Sequence, residues 1–62
     1  MTSISELNIA TATHNCLLRN RISTVEDLEC KSKQELLNLK DFQQKYLEDV
    51  ESALKEYNLE KE

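Results

Sequence analysis

The 62-residue sequence contains no glycine and no proline. Tight hairpin turns depend heavily on these two residue types, so their absence disfavours a β-rich fold. Tryptophan is also missing, and the aromatic residues are one phenylalanine and two tyrosines. A protein this short buries only roughly 60% of its unfolded surface, which leaves room for one small core and no deep substrate cleft. We therefore expect a single domain over residues 1–62.

Cysteine is scarce as well, because Cys16 and Cys30 are the only two. Two cysteines are too few for a disulfide scaffold, and together with His14 they lack the paired spacing of metal ligands. No basic start followed by an apolar run marks a signal peptide, and no apolar stretch is long enough to span a membrane. These features predict a cytoplasmic protein with reduced thiols, no metal and no cofactor.

Charge is unevenly distributed along the sequence. Eight basic and twelve acidic residues give a net charge of −4. Six of the acids and two of the bases fall in residues 48–62, so this segment carries the whole net charge. Such a balance argues against tight, non-specific binding of nucleic acid, which needs several phosphates to be neutralised. The acidic segment is either a surface for a basic partner or a solvated helix face.

The N-terminal third of the sequence predicts an extended lead-in over residues 1–9, followed by a first helix over residues 12–20. Thr11 is a suitable N-cap for this helix, and Asn20 can end it in the left-handed conformation. The lead-in offers three apolar anchors, Ile4, Leu7 and Ile9. The inward side of the first helix carries Cys16 and Leu17.

Capping-box spacing marks the starts of the later helices. The pattern occurs in four pairs: Ser23 with Glu26, Thr24 with Asp27, Ser32 with Glu35, and Asp41 with Gln44. The first two pairs open a short second helix that ends near Glu29. The Ser32 pair opens a third short helix, which presents Leu36, Leu37 and Leu39.

The last helix, over residues 42–57, has the strongest periodicity. Its apolar residues recur at steps of three or four and share one face. They are Phe42, Tyr46, Leu47, Val50, Leu54 and Tyr57. Asn58 fits the position just after the helix, with Leu59 folding back as its hydrophobic contact. Four helices with short connections predict an all-α, compact four-helix domain with an extended N-terminal lead-in.

Two stretches of the sequence go beyond general helix patterning. The first contains Leu7-Asn8-Ile9, Asn15-Cys16-Leu17-Leu18-Arg19 and Ile22-Ser23-Thr24-Val25-Glu26-Asp27-Leu28. The second contains Ser32, Glu35-Leu36-Leu37, Lys45, Leu47, Val50, Leu54 and Leu59. Together they resemble the C-terminal domain of the bacterial RNA polymerase α subunit. The resemblance implies a fold of tandem helix-hairpin-helix type that docks on the minor groove of upstream promoter DNA and contacts transcription regulators.

In that family, the DNA face uses an arginine at the start of the first helix, an Asn-Cys pair shortly after it, and a Gly-x-Lys-Ser hairpin. The resemblance therefore assigns DNA contact to Asn15, Cys16 and Lys45 here, and Arg19 is a further basic candidate on the same stretch. The alternative is that Cys16 packs as a small hydrophobe while Asn15 hydrogen-bonds locally.

Three positions of this DNA face depart from the family pattern. Ala12 stands in place of the arginine, Gln43 in place of the glycine, and Tyr46 in place of the serine. Alanine has no group to send into a narrow, electronegative minor groove. Gln43 adds a side chain where a backbone N–H should approach a phosphate. We therefore expect weak or absent DNA binding.

The sequence as a whole predicts a binding module rather than an enzyme, because no carboxylate pair, nucleophile–base pair or phosphate loop is present. Its expected partners are RNA polymerase or transcription regulators, and we expect a monomer or weak dimer. A helix-hairpin-helix-derived adaptor unrelated to transcription is the alternative. The candidate protein-interface residues are Tyr46, Tyr57, Glu48 and Asp49. Both tyrosines would otherwise complete the apolar stripe of the last helix.

Overall fold

The computed structural model describes residues 1–61, with side chains up to residue 59. Four α-helices follow a single 3₁₀ turn at Ile4–Glu6. They are α1 (Thr11–Arg19), α2 (Val25–Glu29), α3 (Lys33–Leu37) and α4 (Gln44–Lys61). Residues 1–61 contain no strand beyond one isolated antiparallel bridge between Ser3 and Thr24. The predicted all-α, four-helix class is confirmed. None of these helices within residues 1–61 has both the length and the apolar character needed to cross a bilayer.

The lead-in is an ordered part of the core. The backbone N–H of Ile4 donates to the carbonyl of Ser23 at 3.0 Å, and the N–H of Val25 donates to the carbonyl of Thr2 at 2.7 Å. These bonds hold the N-terminal segment against the start of α2, and Ile4 is completely buried there. The predicted apolar anchors are confirmed, with Leu7 buried and Ile9 half-buried.

The core forms where α4 packs against the other elements. Its members are Ile4, Leu7, Cys16, Leu17, Ile22, Val25, Leu28, Leu36, Phe42, Leu47, Val50 and Ala53. The predicted stripe on α4 is confirmed at Leu47 and Val50, whereas Leu54 is only half-buried. On α3, Leu36 alone is buried and Leu37 is 41% exposed.

Two of the predicted helix starts are correct. Ser32 and Glu35 form a complete capping box at the start of α3. Thr24 caps α2, since its hydroxyl accepts from the N–H of Asp27 at 3.0 Å. The pairing of Ser23 with Glu26 is wrong, because the Glu26 carboxylate accepts instead from the N–H of Thr2 at 2.8 Å.

The boundaries predicted for α1 are each wrong by one residue. The helix begins at Thr11 itself, after Ala10, whose side chain makes no capping hydrogen bond. At the other end, Asn20 has φ −98° and ψ 17°, so it does not take the left-handed conformation. Arg21 takes it instead, with φ 64°. The side chain of Asn20 instead hydrogen-bonds to the carbonyls of Cys16 and Lys40.

The ends of α4 also differ from prediction. Asp41 has φ 62°, a left-handed conformation that turns the backbone before the helix, so the predicted capping box with Gln44 does not form. The helix continues through Asn58 to Lys61 rather than ending at residue 57. Leu59 is therefore carried outward and is 65% exposed instead of folding back. With no glycine or proline nearby, only Asn58 disfavours continuation of the helix, and one residue of modest propensity does not end it.

Candidate nucleic-acid and protein interface

The start of α1 is joined to α4 by the Asp49 carboxylate. Its Oδ2 accepts from the N–H of Ala10 at 2.9 Å and from the hydroxyl of Thr13 at 2.7 Å. Thr13 is 1% exposed, so its hydroxyl has lost water and depends on this partner. Asp49 thus supplies the cap that Ala10 cannot, because a carboxylate satisfies an unpaired N–H and is favoured at a helix N-terminus.

The end of α1 is joined to the loop before α4 by Asn20. Its side-chain amide donates to the carbonyl of Cys16 at 2.9 Å and to the carbonyl of Lys40 at 3.2 Å. The N–H of Lys40 returns a bond to the side-chain oxygen of Asn20 at 3.1 Å. This clamp holds residues 40–43, hereafter the hairpin, against α1.

Cys16 lies beneath that hairpin and is only 5% exposed. Its Sγ lies 3.8 Å from the carbonyl oxygen of Lys40 and 3.7 Å from that of Asp41. Burial raises the pKa of the Cys16 thiol, and the negative charge of Asp41 adds to the effect. A neutral, buried thiol is a packing residue rather than a nucleophile.

A polar groove of about 480 Å³ separates α1 from the hairpin and the first turn of α4; we call it the hairpin groove. It is lined by Ala12, Asn15, Cys16, Arg19, Asp41, Gln43 and Tyr46. Three residues that the sequence assigns to DNA contact, Asn15, Cys16 and Arg19, therefore meet in one place. The side chain of Asn15 is exposed and forms no hydrogen bond with the side chains and backbone described up to residue 59, so the alternative of a local bond is not realised.

Lys45 lies instead at a second groove of about 300 Å³, hereafter the cap groove. Its lining consists of Ala10, Ala12, Thr13, Lys45, Tyr46 and Asp49. The short side chain of Ala12 borders both grooves, and Tyr46 stands between them.

Tyr46 packs against the core and is also partly exposed at the surface. Its half-buried ring meets that of Phe42 edge to face, with centroids 5.9 Å apart and an interplanar angle of 70°. The Lys45 ammonium lies 5.5 Å from the same ring centroid, within the range of a cation–π contact. The two expectations for Tyr46, stripe residue and surface anchor, are therefore compatible.

The other interface candidates lie apart from both grooves. Glu48 is exposed on the flank of α4. Tyr57 is half-buried near the C-terminal end of α4 and packs against the core, as the stripe predicts. Among the side chains that the structure describes, up to residue 59, no three His, Cys, Asp or Glu gather in a way that could hold a metal ion.

Sequence reasoning did not identify Asn20, Thr13 or Asp41 as members of this region. Asn20 and Asp41 carry a weak signal, since Asn and Asp are the residues that most often take or support turn conformations. Thr13 carries none, because a single threonine in a helix gives no indication of its partner on α4.

Comparisons with known proteins agree on one family. The family model for the C-terminal domain of the bacterial RNA polymerase α subunit matches residues 1–56. The DNA-directed RNA polymerase α subunit of Thermotoga petrophila is 45% identical over 53 residues, covering 86% of this sequence and 16% of that protein. The α subunits of Thermosynechococcus vestitus and Alkaliphilus metalliredigens are 43% and 37% identical over 54 and 57 residues. They are covered to 17% and 18% of their lengths, so the present sequence spans less than a fifth of these relatives.

Proposed function

The protein belongs to the family formed by the C-terminal domain of the bacterial RNA polymerase α subunit, and on that premise we propose that it is a non-catalytic transcription module that works by docking. Its partners are RNA polymerase or transcription regulators, and its contact with promoter DNA is weak or absent. It acts in the cytoplasm, as a monomer or weak dimer, with residues 1–62 as one domain. Any polymerase activity belongs to other subunits.

The observation that supports this proposal is the composition of the hairpin groove. By resemblance, the DNA face of the family lies here, with an arginine on α1 opposite a glycine-containing hairpin. In this protein Ala12 and Gln43 line the groove at those positions, and Asp41 adds a negative charge beside them. A carboxylate at this point repels a phosphate, and no arginine reaches from position 12 into a minor groove.

The remaining candidates for DNA contact are too few to compensate. Cys16 is buried and offers no hydrogen-bond donor of useful strength. Asn15, Arg19 and Lys45 are exposed and retain some capacity for phosphate contact. Because each phosphate contact contributes modestly and is screened by salt, three such groups favour at most weak, salt-sensitive binding. We assign protein contact instead to Tyr46 and Asp49 at the cap groove, together with Glu48 on the flank of α4 and Tyr57 near its C-terminal end.

Co-purification tests the proposal directly. The tagged protein is used to capture partners from a lysate of its source cell, and the bound proteins are identified by mass spectrometry. We expect polymerase subunits or a transcription regulator, and we expect nuclease treatment of the lysate to leave the capture unchanged. Loss of capture after nuclease treatment would show that DNA bridges the proteins. Reproducible capture of a partner with no role in transcription would favour the second candidate, an adaptor derived from the helix-hairpin-helix fold.

A further inference from the structure

The cap groove has the features of a site for a cationic side chain. It is lined by the small side chains of Ala10 and Ala12 and by Tyr46. Asp49, one helical turn after Tyr46 on α4, also lines the groove; it is half-buried and held in place by two hydrogen bonds to its Oδ2. Its second oxygen, Oδ1, accepts no hydrogen bond from the groups described up to residue 59. A fixed carboxylate, an aromatic side chain and two small apolar side chains therefore line one space of about 300 Å³.

The structure already places one cation at this ring. The Lys45 ammonium lies 5.5 Å from the centroid of Tyr46, but no carboxylate lies within ion-pair distance of it among the described residues. An ammonium is compact and strongly hydrated, whereas a guanidinium is planar, weakly hydrated and stacks on aromatic rings. A guanidinium in the groove would use both the ring and Asp49, and Lys45 would turn outward on its flexible stem.

We propose that the cap groove receives an arginine side chain from a basic segment of a protein partner. The aliphatic part of the arginine lies over Ala12, its guanidinium stacks on Tyr46, and its N–H groups donate to Oδ1 of Asp49. This inference rests on the proposed docking function and specifies the chemistry of the partner. Ala12 lines the groove with a short side chain, so the partner supplies the long basic side chain that this position lacks.

Charge around the groove favours a basic partner over an acidic one. Asp49 belongs to the segment 48–62, which carries all of the net charge of −4. Lys33 and Glu51 pair with each other at 3.1 Å, and Glu48 remains exposed without an ion pair in the described residues. A basic segment crossing α4 would meet attraction beyond the groove as well as within it.

Titration with blocked single residues, followed by two-dimensional amide NMR of the isotope-labelled protein, tests the proposal. The probes are N-acetyl-arginine amide, its uncharged isostere N-acetyl-citrulline amide, and N-acetyl-lysine amide. We expect arginine to shift the amides of Ala12, Thr13 and Tyr46 with a dissociation constant on the order of 10 mM. Citrulline should bind about tenfold more weakly because it lacks the charge that strengthens both contacts. Lysine should also bind more weakly than arginine, since its ammonium neither stacks on the ring nor sheds water as readily.

Matched variants separate the groove from general attraction to the acidic helix. Asp49→Asn keeps an oxygen to accept from Ala10 and Thr13 but removes the charge, and we expect a roughly tenfold loss of arginine affinity. Glu48→Gln removes the same charge outside the groove and should change the affinity less than about twofold. Ala12→Arg should abolish binding by filling the groove from within.

Three outcomes would overturn the proposal. They are equal shifts with citrulline, shifts spread along residues 48–59 rather than centred on the groove, and equal effects of Asp49→Asn and Glu48→Gln. The titration contains no DNA and no polymerase. Its failure would therefore leave the transcription proposal standing, whereas reproducible capture of a partner with no role in transcription would count against that proposal whatever the arginine titration shows.

Discussion

Asp49 of α4 caps the start of α1 across the core: its Oδ2 accepts from the Ala10 N–H and from the buried Thr13 hydroxyl. Replacement by alanine leaves that hydroxyl without a partner and α1 uncapped. We expect Asp49→Ala to lower the free energy of unfolding by about 2–4 kcal/mol, measured by urea denaturation. Asp49→Asn should cost less because it retains an acceptor. Glu48→Ala, on the exposed flank, should stay within about 0.5 kcal/mol, and an equal loss in both alanine variants would show that the cap contributes nothing.

The Asn20 clamp makes a more local prediction. Asn20→Ala removes the acceptor of the Lys40 N–H and both donors to the hairpin and helix carbonyls. We expect the free energy of unfolding to fall by about 1–3 kcal/mol, because the carbonyls of Cys16 and Lys40 each lose a hydrogen-bond donor. Hydrogen exchange of the Lys40 amide should also accelerate more than that of Val50, which lies in the α4 core. If both amides accelerate equally, the hairpin is held by packing and not by Asn20.

Arg21 holds a left-handed conformation that glycine adopts without cost. We expect Arg21→Gly to raise the free energy of unfolding by about 0.5–1 kcal/mol, after allowance for the greater freedom of glycine in the unfolded state. The control change Arg19→Gly alters the last residue of α1, which has a helical conformation, and should lower the free energy of unfolding by about 0.5 kcal/mol. Thermal melts of the two variants should therefore move in opposite directions, and parallel shifts would contradict the assigned backbone at Arg21.

Acid should weaken the attachment of the lead-in. The Thr2 N–H holds the pKa of the Glu26 carboxyl below its ordinary value of 4.5, and the Ser32 N–H does the same for Glu35. A carboxyl whose pKa is lower in the folded state contributes stability above its unfolded pKa, and this is lost as pH falls through the folded pKa. We expect stability to decline as the pH falls below about 4.5.

The double variant Glu26→Gln/Glu35→Gln isolates that contribution to the acid response. Its free energy of unfolding should depend less on pH in the acidic range than that of the unmodified protein. Glu29→Gln, which removes an exposed carboxylate without a described hydrogen bond, is the control. An unchanged acid dependence in the double variant would mean that other carboxyls set it.

The helices could be predicted from the sequence, but the contacts that assemble the candidate site could not. The apolar period predicts the buried face of α4 at Leu47 and Val50, and capping-box spacing predicts the start of α3, because both signals are local. Asp49 binds Ala10, which is 39 positions away in the sequence, and Asn20 binds Lys40, which is 20 positions away. No local pattern marks such pairs. Asparagine takes the left-handed conformation more readily than arginine, so the sequence predicts that conformation at Asn20. In the structure it lies one residue later, at Arg21, while the Asn20 side chain binds Cys16 and Lys40.

The protein retains the family scaffold, and we propose that its DNA-reading face is replaced. A gel-shift titration with A·T-rich duplex compares the unmodified protein with the double variant Ala12→Arg/Gln43→Gly, which restores the family pattern at both positions. We predict no specific binding by the unmodified protein at physiological salt. The variant should bind, and its gain should shrink as salt rises, since part of it comes from counterion release. Tight, sequence-dependent binding by the unmodified protein would contradict the claim and would mean that Asn15, Arg19 and Lys45 suffice to hold promoter DNA.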